Sequence, residues 1–344
     1  MNIVGIKQVL FAGILITFAT GCALEGDENS GNNEDASADD AGELTNVQFY
    51  VPSEEDDLVS IIDVVSGEHV GDIDVGQRPT IVTFASTMRE AFVANQDSST
   101  VSIVNTQSLE ETAEIDVGPQ PHGLALSSNN DTLYVATVGD QYVDIIGVED
   151  QEVTSQIDLG NDAKSNYVHL EDDTLYVTDH ENDAIYVVDA ETEEVTDTIE
   201  TGELPRVVRV YDETLYVASG ESGLLEIIDL DSGDTTSIDV GHGATDVIVT
   251  EDGQFGIVTS IEGDSVVKVD LDEESVVGEI DGQEGAKHLA FNREESRAYV
   301  TLSESNEVSV IDVDSFEEEN RIEIGGNMPH GIDIKALPGI GGSC

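Results

Sequence analysis

The chain has 344 residues, of which 74 are Asp or Glu and 12 are Lys or Arg, so its formal net charge at pH 7 is −62. The acidic residues occur along the whole sequence, which excludes a nucleic-acid-binding protein, because a phosphate backbone requires basic partners. Self-repulsion on this scale destabilises a compact state at low salt, whereas molar salt shortens the Debye length to about 3 Å and removes most of the repulsion. The composition therefore predicts a halophilic protein or one from another saline habitat.

The N-terminal segment predicts a lipoprotein signal peptide over residues 1–21. Lys7 precedes an apolar run over residues 9–18, which is too short to span a bilayer as a stable helix and is typical of a signal-peptide core. The small residues of Ala19–Gly21 stand directly before Cys22, an arrangement that resembles the bacterial lipobox. Cys22 would then carry the lipid, which predicts an extracytoplasmic protein anchored to a membrane, at the cell surface or in the periplasm. The alternative is an ordinary signal peptide beside an incidental cysteine.

Residues 22–43 predict an acidic, disordered tether between this anchor and a folded domain. Asp, Glu, Asn, Ser, Gly and Ala dominate this segment, which cannot bury enough apolar surface to offset its chain entropy. Like charges along it would keep it extended. Residues 337–344 are expected to form a C-terminal tail, which contains Cys344, the only other cysteine of the sequence. If Cys22 is acylated, Cys344 has no partner within the chain; otherwise a disulfide between the two ends remains open.

The segment between these ends, residues 44–336, consists of one repeated unit. A string close to Ile-Asp-Val-Gly occurs seven times, with five intervals of 42 residues and one of 39. Its copies are Ile73–Gly76, Ile115–Gly118, Ile157–Gly160, Ile199–Gly202, Ile238–Gly241, Ile280–Gly282 and Ile322–Gly325.

Each period contains four short apolar or alternating segments that are separated by turn-forming residues. In the second full repeat these segments are residues 123–127, 132–136, 142–146 and 153–158. Their β-branched residues and period-two alternation favour antiparallel strands over helices. Four strands in each of seven periods predict an all-β, seven-bladed β-propeller.

The phase of the repeat predicts how the ring closes. The chain enters with three strands of a blade, near Val47, Val59 and Val70, and leaves with one lone strand over Gly331–Lys335. That last strand is expected to become the innermost strand of the first blade. A single Asp after the third strand of several repeats is expected to cap a turn: Asp63, Asp189, Asp229, Asp270 and Asp312.

Two further strings recur within each period. The second segment gives Tyr50–Ser53, Phe92–Asn95, Tyr134–Thr137, Tyr176–Asp179, Tyr216–Ser219, Ile257–Ser260 and Tyr299–Leu302, and the third gives Val59–Asp63, Val101–Asn105, Ile185–Asp189 and Val308–Asp312. Over about residues 45–336 the chain resembles the YVTN-type β-propeller family. The resemblance implies a propeller fold, a surface location and a binding role, but no single ligand, because one fold supports many functions.

One position of the repeat carries most of the candidate chemistry, namely the residue that opens each innermost strand. Because innermost strands line the central channel of a propeller, these residues should form a ring around one channel mouth. We predict that this ring binds a small anion, with Arg206 as a bidentate fork and Lys164 and Lys287 as point charges. The alternative is a variable position whose basic residues balance local acids. The ring is Thr80, His122, Lys164, Arg206, Thr245, Lys287 and His330.

A metal site and an enzyme are the competing interpretations of the same ring. His122 and His330, with His288 as a third ligand, could hold a metal, although neighbouring cations would oppose it. The sequence has no Trp, no Cys-x-x-Cys-His, no Gly-x-Ser-x-Gly and no His-Glu-x-x-His. We therefore predict no catalytic residue, metal or other cofactor, and a monomeric binding module whose partner is a small anion or a protein. The alternative is a channel-mouth enzyme of the lactonase or oxidoreductase type with a bound metal.

Overall fold

The structure is a computed structural model that describes residues 46–336, which form seven four-stranded antiparallel β-sheets arranged as a propeller. Each sheet is one blade, so the predicted fold class is confirmed. Within the described residues no helix is long and apolar enough to cross a membrane. The predicted signal peptide, the tether, the C-terminal tail, Cys22 and Cys344 lie outside the described residues.

The strands of the first four blades follow the repeat. Blade 1 contains Gln48–Ser53 (β1), Leu58–Asp63 (β2), Glu68–Asp74 (β3) and the last strand of the chain, Asp333–Lys335 (β28). Blade 2 contains Pro79–Phe84 (β4), Glu90–Asn95 (β5), Thr100–Asn105 (β6) and Glu110–Asp116 (β7). Blade 3 contains Pro121–Leu126 (β8), Thr132–Thr137 (β9), Tyr142–Gly147 (β10) and Glu152–Asp158 (β11). Blade 4 contains Val168–Glu171 (β12), Thr174–Asp179 (β13), Ala184–Asp189 (β14) and Glu194–Glu200 (β15).

The last three blades have the same order of strands from the channel outward. Blade 5 contains Pro205–Tyr211 (β16), Thr214–Ser219 (β17), Leu224–Asp229 (β18) and Thr235–Asp239 (β19). Blade 6 contains Ala244–Val249 (β20), Phe255–Ser260 (β21), Ser265–Asp270 (β22) and Ser275–Asp281 (β23). Blade 7 contains Ala286–Phe291 (β24), Arg297–Leu302 (β25), Glu307–Asp312 (β26) and Glu317–Glu323 (β27).

The ring closes as the phase of the repeat predicts. Strand β28 pairs antiparallel with β1, with Lys335 opposite Gln48 and Asp333 opposite Tyr50. The closing strand is shorter than predicted, because the backbone N–H of Gly331 donates to the carbonyl oxygen of Thr80 in blade 2 rather than to β1. The segment Gly331–Lys335 is therefore tied both to blade 1 and to blade 2.

The core lies between neighbouring blades, and the Tyr-Val strings of the second strands supply much of it. Phe49 of blade 1 packs on Tyr299 of blade 7 with ring centroids 4.2 Å apart, and Tyr50 packs edge-on against Phe84 of blade 2 at 4.9 Å. The outermost strands are largely exposed, as in Glu194–Glu200 of blade 4. Aromatic and β-branched side chains thus seal the blade interfaces, while the acidic outer strands face solvent.

The Asp residues after the third strands cap turns, as predicted from the sequence. In each case a carboxylate oxygen accepts a hydrogen bond from the backbone N–H three residues further on, for example Ser66 to Asp63 at 2.7 Å and Ser315 to Asp312 at 2.7 Å. The same bond recurs at Asp189, Asp229 and Asp270. These side chains therefore shape the hairpin turns of the blades.

Candidate functional site

The first candidate site is a cavity of about 200 Å³ at the channel mouth where the innermost strands begin. Five of the seven predicted ring residues line it. Side chains from outside the predicted ring, including His180 and Asn166, complete the wall. The ring residues in the wall are His122, Arg206, Thr245, Lys287 and His330.

The other two ring residues do not line this cavity. Thr80 is fully buried, and its hydroxyl donates to the carbonyl oxygen of Ala94 at 3.3 Å, so it serves the blade rather than the channel. Lys164 turns outward, and its Nζ donates to the carbonyl oxygen of Gly139 at 3.2 Å. Lys164 instead lines a shallow groove on the rim with acidic neighbours such as Asp162.

A buried carboxylate that the sequence analysis did not single out joins the ring. The Glu54 side chain is 2% exposed, and its Oε1 lies 2.5 Å from both Lys287 Nζ and His330 Nδ1. Its Oε2 accepts from Arg78 Nε at 2.9 Å. Burial alone would raise the pKa of Glu54, but the hydrogen bond from His330, together with the charge of Lys287, holds it well below its usual value. Glu54 therefore neutralises much of the positive charge that the sequence predicts for this mouth.

Two ring histidines form a hydrogen-bonded chain across the mouth. His330 Nε2 lies 2.9 Å from His122 Nε2, and His122 Nδ1 lies 3.2 Å from the carbonyl oxygen of Asn166. Burial, followed by the charges of His288 and Lys287, lowers the pKa of His122 to about 3, so this imidazole is neutral at neutral pH. The tautomer of His122 follows from its partners, because a carbonyl oxygen can only accept a hydrogen bond. His122 therefore carries its proton on Nδ1, donates it to Asn166, and accepts at Nε2 from His330.

Arg206 is the cation of the mouth whose partner is easiest to displace. Its Nη2 donates to Glu262 Oε1 at 3.0 Å, and the Glu262 side chain is 44% exposed. Its Nε is buried and has no hydrogen-bond partner among residues 46–336. Exposed ion pairs of this kind contribute only about 0–1 kcal/mol, so a ligand can compete with Glu262 for the guanidinium.

A second, larger cavity of about 410 Å³ occupies the other half of the channel. Its polar groups lie on residues that follow the ring positions, and His288 lines both cavities. Asp246 is buried and receives Arg209 Nη2 at 3.3 Å and His288 Nδ1 at 2.9 Å. Asp333 of the closing strand lies in the same cavity, and burial raises its pKa to about 6.

Some residues at the two cavities do not belong to the predicted ring, and they occupy two other equivalent positions of the repeat. Glu54 and His180 both directly follow the last residue of the second strand of a blade. An alignment of the seven repeats at that position would therefore have placed the two side chains together at the mouth. Asp246 and His288 each stand one residue after a ring position. Among residues 46–336, no group of three or more His, Cys, Asp or Glu side chains has an arrangement that could hold a metal ion.

The fold and this channel define a seven-bladed β-propeller with ligand-sized cavities at its axis. The chain belongs to the YNCE-like β-propeller family, whose model matches residues 56–336. No curated protein sequence matches the chain. The resemblance to YVTN-type propellers and the lipid anchor stay predictions.

Solved structures share the fold at low sequence identity. The periplasmic gluconolactonase PpgL of Pseudomonas aeruginosa has a TM-score of 0.72 and 16% identity, over 86% of this chain and 100% of that one. Hydrazine synthase of Kuenenia stuttgartiensis has a TM-score of 0.69 and 18% identity, over 76% of this chain and 91% of that one. A functionally unknown protein of Desulfotomaculum acetoxidans has a TM-score of 0.72 and 14% identity, over 85% and 99%. Such identities establish the likeness of fold alone.

Proposed function

We propose that this protein is a lipid-anchored, extracytoplasmic binding module that holds a small carboxylate or phosphate compound at the channel mouth. The single observation that carries the proposal is the position of Arg206, whose guanidinium lines the mouth cavity and, within the described part of the chain, pairs with one exposed carboxylate, that of Glu262. The location rests on the N-terminal sequence, in which small residues precede Cys22.

Arg206 suits an anion better than the other cations of the ring do. Lys287 is committed to the buried Glu54, whereas the partner of Arg206 is Glu262, at the solvent surface. A ligand carboxylate or phosphate would replace one exposed acceptor with two parallel hydrogen bonds to the guanidinium fork. The neighbouring Thr245 and Asn166 line the same cavity and offer neutral polar groups for orientation.

The volume of the cavity and the charge at its wall both restrict the ligand. A cavity of about 200 Å³ holds the equivalent of about seven water molecules at about 30 Å³ each, which fits a short organic acid but not a peptide or nucleotide. The Arg206 guanidinium is the local positive charge that would attract an anion, once the anion has approached this acidic chain through screened solvent.

The test measures thermal unfolding of the mature protein with acetate, malate or inorganic phosphate at constant, high ionic strength. A ligand at 100 times its dissociation constant should add about 2.7 kcal/mol of stability. The Arg206→Gln variant should lose this gain. Lys164→Gln is the matched control, because Lys164 belongs to the same repeat position but lies outside the cavity.

An equal ligand-induced gain in wild-type protein and in Arg206→Gln would contradict the site. No gain with any anion would contradict the ligand class and favour the other predicted partner, a protein bound to one of the propeller faces.

One observation favours the alternative function, a channel-mouth enzyme. The channel does contain buried carboxylates, Glu54 and Asp246, of the kind that a lactonase-type propeller would need for a metal. Both are engaged by cationic side chains, which would have to move aside. Hydrolysis of a sugar lactone that depends on an added divalent metal, and that is lost in Asp246→Asn, would replace the binding-module proposal with this one.

A further inference from the structure

The half of the channel opposite the basic mouth has the walls of a ligand pocket. Its cavity of about 410 Å³ lies within the usual size range of small-molecule sites, which are mostly apolar with a few convergent polar groups. Apolar residues of six blades line it, among them Ile81, Leu124, Val210, Ile248, Leu289 and Ile334. The function proposed for the mouth uses none of these residues.

Of the two acidic side chains that line this cavity, Asp246 and Asp333, only Asp333 has no cationic partner among the described residues. Within residues 46–336 its carboxylate accepts hydrogen bonds from two backbone N–H groups, that of Ile334 at 2.7 Å and that of Phe84, and from no side chain. Asp246, in contrast, receives both Arg209 and His288. A carboxylate in an apolar pocket is costly when it is not paired, so Asp333 is a charge that lacks its counter-ion.

Arg209 does not supply that counter-ion. Its Nη2 is directed to Asp246, and its guanidinium packs over the ring of Tyr167, 5.4 Å from the centroid. Arg209 therefore attracts Asp333 through space without contacting it, and burial still raises the pKa of Asp333 to about 6. The pocket thus presents one unpaired carboxylate at the edge of an apolar wall.

We propose that this half of the channel binds a small organic ammonium ion, whose nitrogen pairs with Asp333 and whose hydrocarbon part packs on the surrounding aliphatic side chains. A metal cation fits poorly, because hard cations require several oxygen ligands and these walls are mainly hydrocarbon. The volume corresponds to about fourteen water molecules at about 30 Å³ each, enough for an aliphatic or arylalkyl amine. The net charge of −62 would also attract such cations toward the protein at moderate salt.

The experiment compares three ligands of one shape by calorimetry on the mature protein: phenethylamine, 2-phenylethanol and 3-phenylpropionate. Molar salt suppresses non-specific association of amines with the acidic surface. The amine is expected to bind with one-to-one stoichiometry, at least about tenfold tighter than the alcohol, and the acid is expected not to bind. Asp333→Asn should reduce the amine affinity by at least about tenfold and leave the alcohol unaffected.

A pH series adds an independent readout. Amine affinity should fall as the pH drops below about 6, because Asp333 then carries a proton. Binding of the alcohol should not follow this profile. The other titratable groups that face Asp333 across the cavity are Tyr167, Arg209, Tyr211, Asp246 and His288.

The control is Asp74→Asn, the same substitution at an exposed position on the outermost strand of blade 1. It should bind the amine as the wild-type protein does. Equal affinity for amine and alcohol, no binding of the amine, or unchanged amine binding in Asp333→Asn would each overturn the proposal. Because Arg206 lies in the other cavity, failure of the anion experiment does not affect this result.

Discussion

His122 and His330 are 208 residues apart in the sequence, and their Nε2 atoms lie 2.9 Å from each other across the channel mouth. His330 precedes the strand that closes the ring, so the contact forms only when the last strand of the chain joins the first blade. The same closure brings Glu54, from the turn after β1, against Lys287 of blade 7. Closure of the propeller therefore completes the mouth, because it brings His330 and Glu54 against residues of other blades.

The ion pair between Glu54 and Lys287 predicts a large effect of a small substitution. Glu54→Gln leaves the nearly buried Lys287 ammonium without its counter-ion, and breaking a buried pair in this way typically costs about 3–5 kcal/mol. We expect a loss of that order in the free energy of unfolding, measured by denaturant titration. Glu55→Gln, at the exposed neighbouring position, is the control and should change stability by less than about 0.5 kcal/mol. A similar small change in both variants would show that Glu54 does not hold Lys287 in place.

Asp333 predicts a stability that falls as the pH rises. Its pKa is about 6 in the folded protein and about 3.9 in an unfolded chain, so the folded state binds more protons between these values. The free energy of unfolding therefore falls as the pH rises through this range, and ionised Asp333 destabilises the fold above pH 6 by up to about 3 kcal/mol. Asp333→Asn should be more stable than wild type by that order at pH 8.

The advantage of Asp333→Asn should shrink to near zero at about pH 4, where Asp333 is largely protonated. The difference between variant and wild type is the quantity to measure, because many other carboxylates also titrate in this range. A difference that is constant over the whole pH range would contradict the raised pKa.

The repeat made the fold predictable, because each strand is specified by local alternation and turn residues and then repeated. The four segments predicted for blade 3 agree with β8 to β11 to within two residues at each end. The family model matches most of the same region. Closure was also predictable, since a count of strands leaves one missing at the start and one extra at the end.

The site was less predictable, because a repeat position fixes a backbone place but not the direction of a side chain. Lys164 and Lys287 occupy equivalent positions, yet Lys164 bonds a rim carbonyl and Lys287 a buried carboxylate. That choice depends on Glu54, which only blade 1 carries at its position in the repeat. The hydrogen-bond partner of each lysine comes from a different repeat, so comparing the residues at one position of the repeat does not reveal it.

The close packing around Gly331, directly before the closing strand, predicts that a larger side chain there destabilises the protein. A Cβ at this position would lie 2.7 Å from the carbonyl oxygen of Thr80 and 3.1 Å from Ile81, so Gly331→Ala must shift the closing strand. We expect a loss of about 1–3 kcal/mol in the free energy of unfolding, as for overpacked cores. Gly71→Ala is the matched control, because a Cβ there has no atom within 4 Å. Equal stability of the two variants would mean that the closing strand adjusts freely.

The net charge of −62 predicts that salt is a condition of folding. Like charges on the exposed outer strands repel one another over a Debye length of about 10 Å at 0.1 M salt, and over only about 3 Å at 1 M. The midpoint of thermal unfolding should therefore rise steeply with sodium chloride and level off near molar concentrations. Sucrose in place of salt separates screening from the general effect of excluded solutes, because sucrose strengthens burial without screening charge. A midpoint that sucrose raises as much as salt does would mean that charge repulsion contributes little, and that the acidic surface serves solubility rather than a saline habitat.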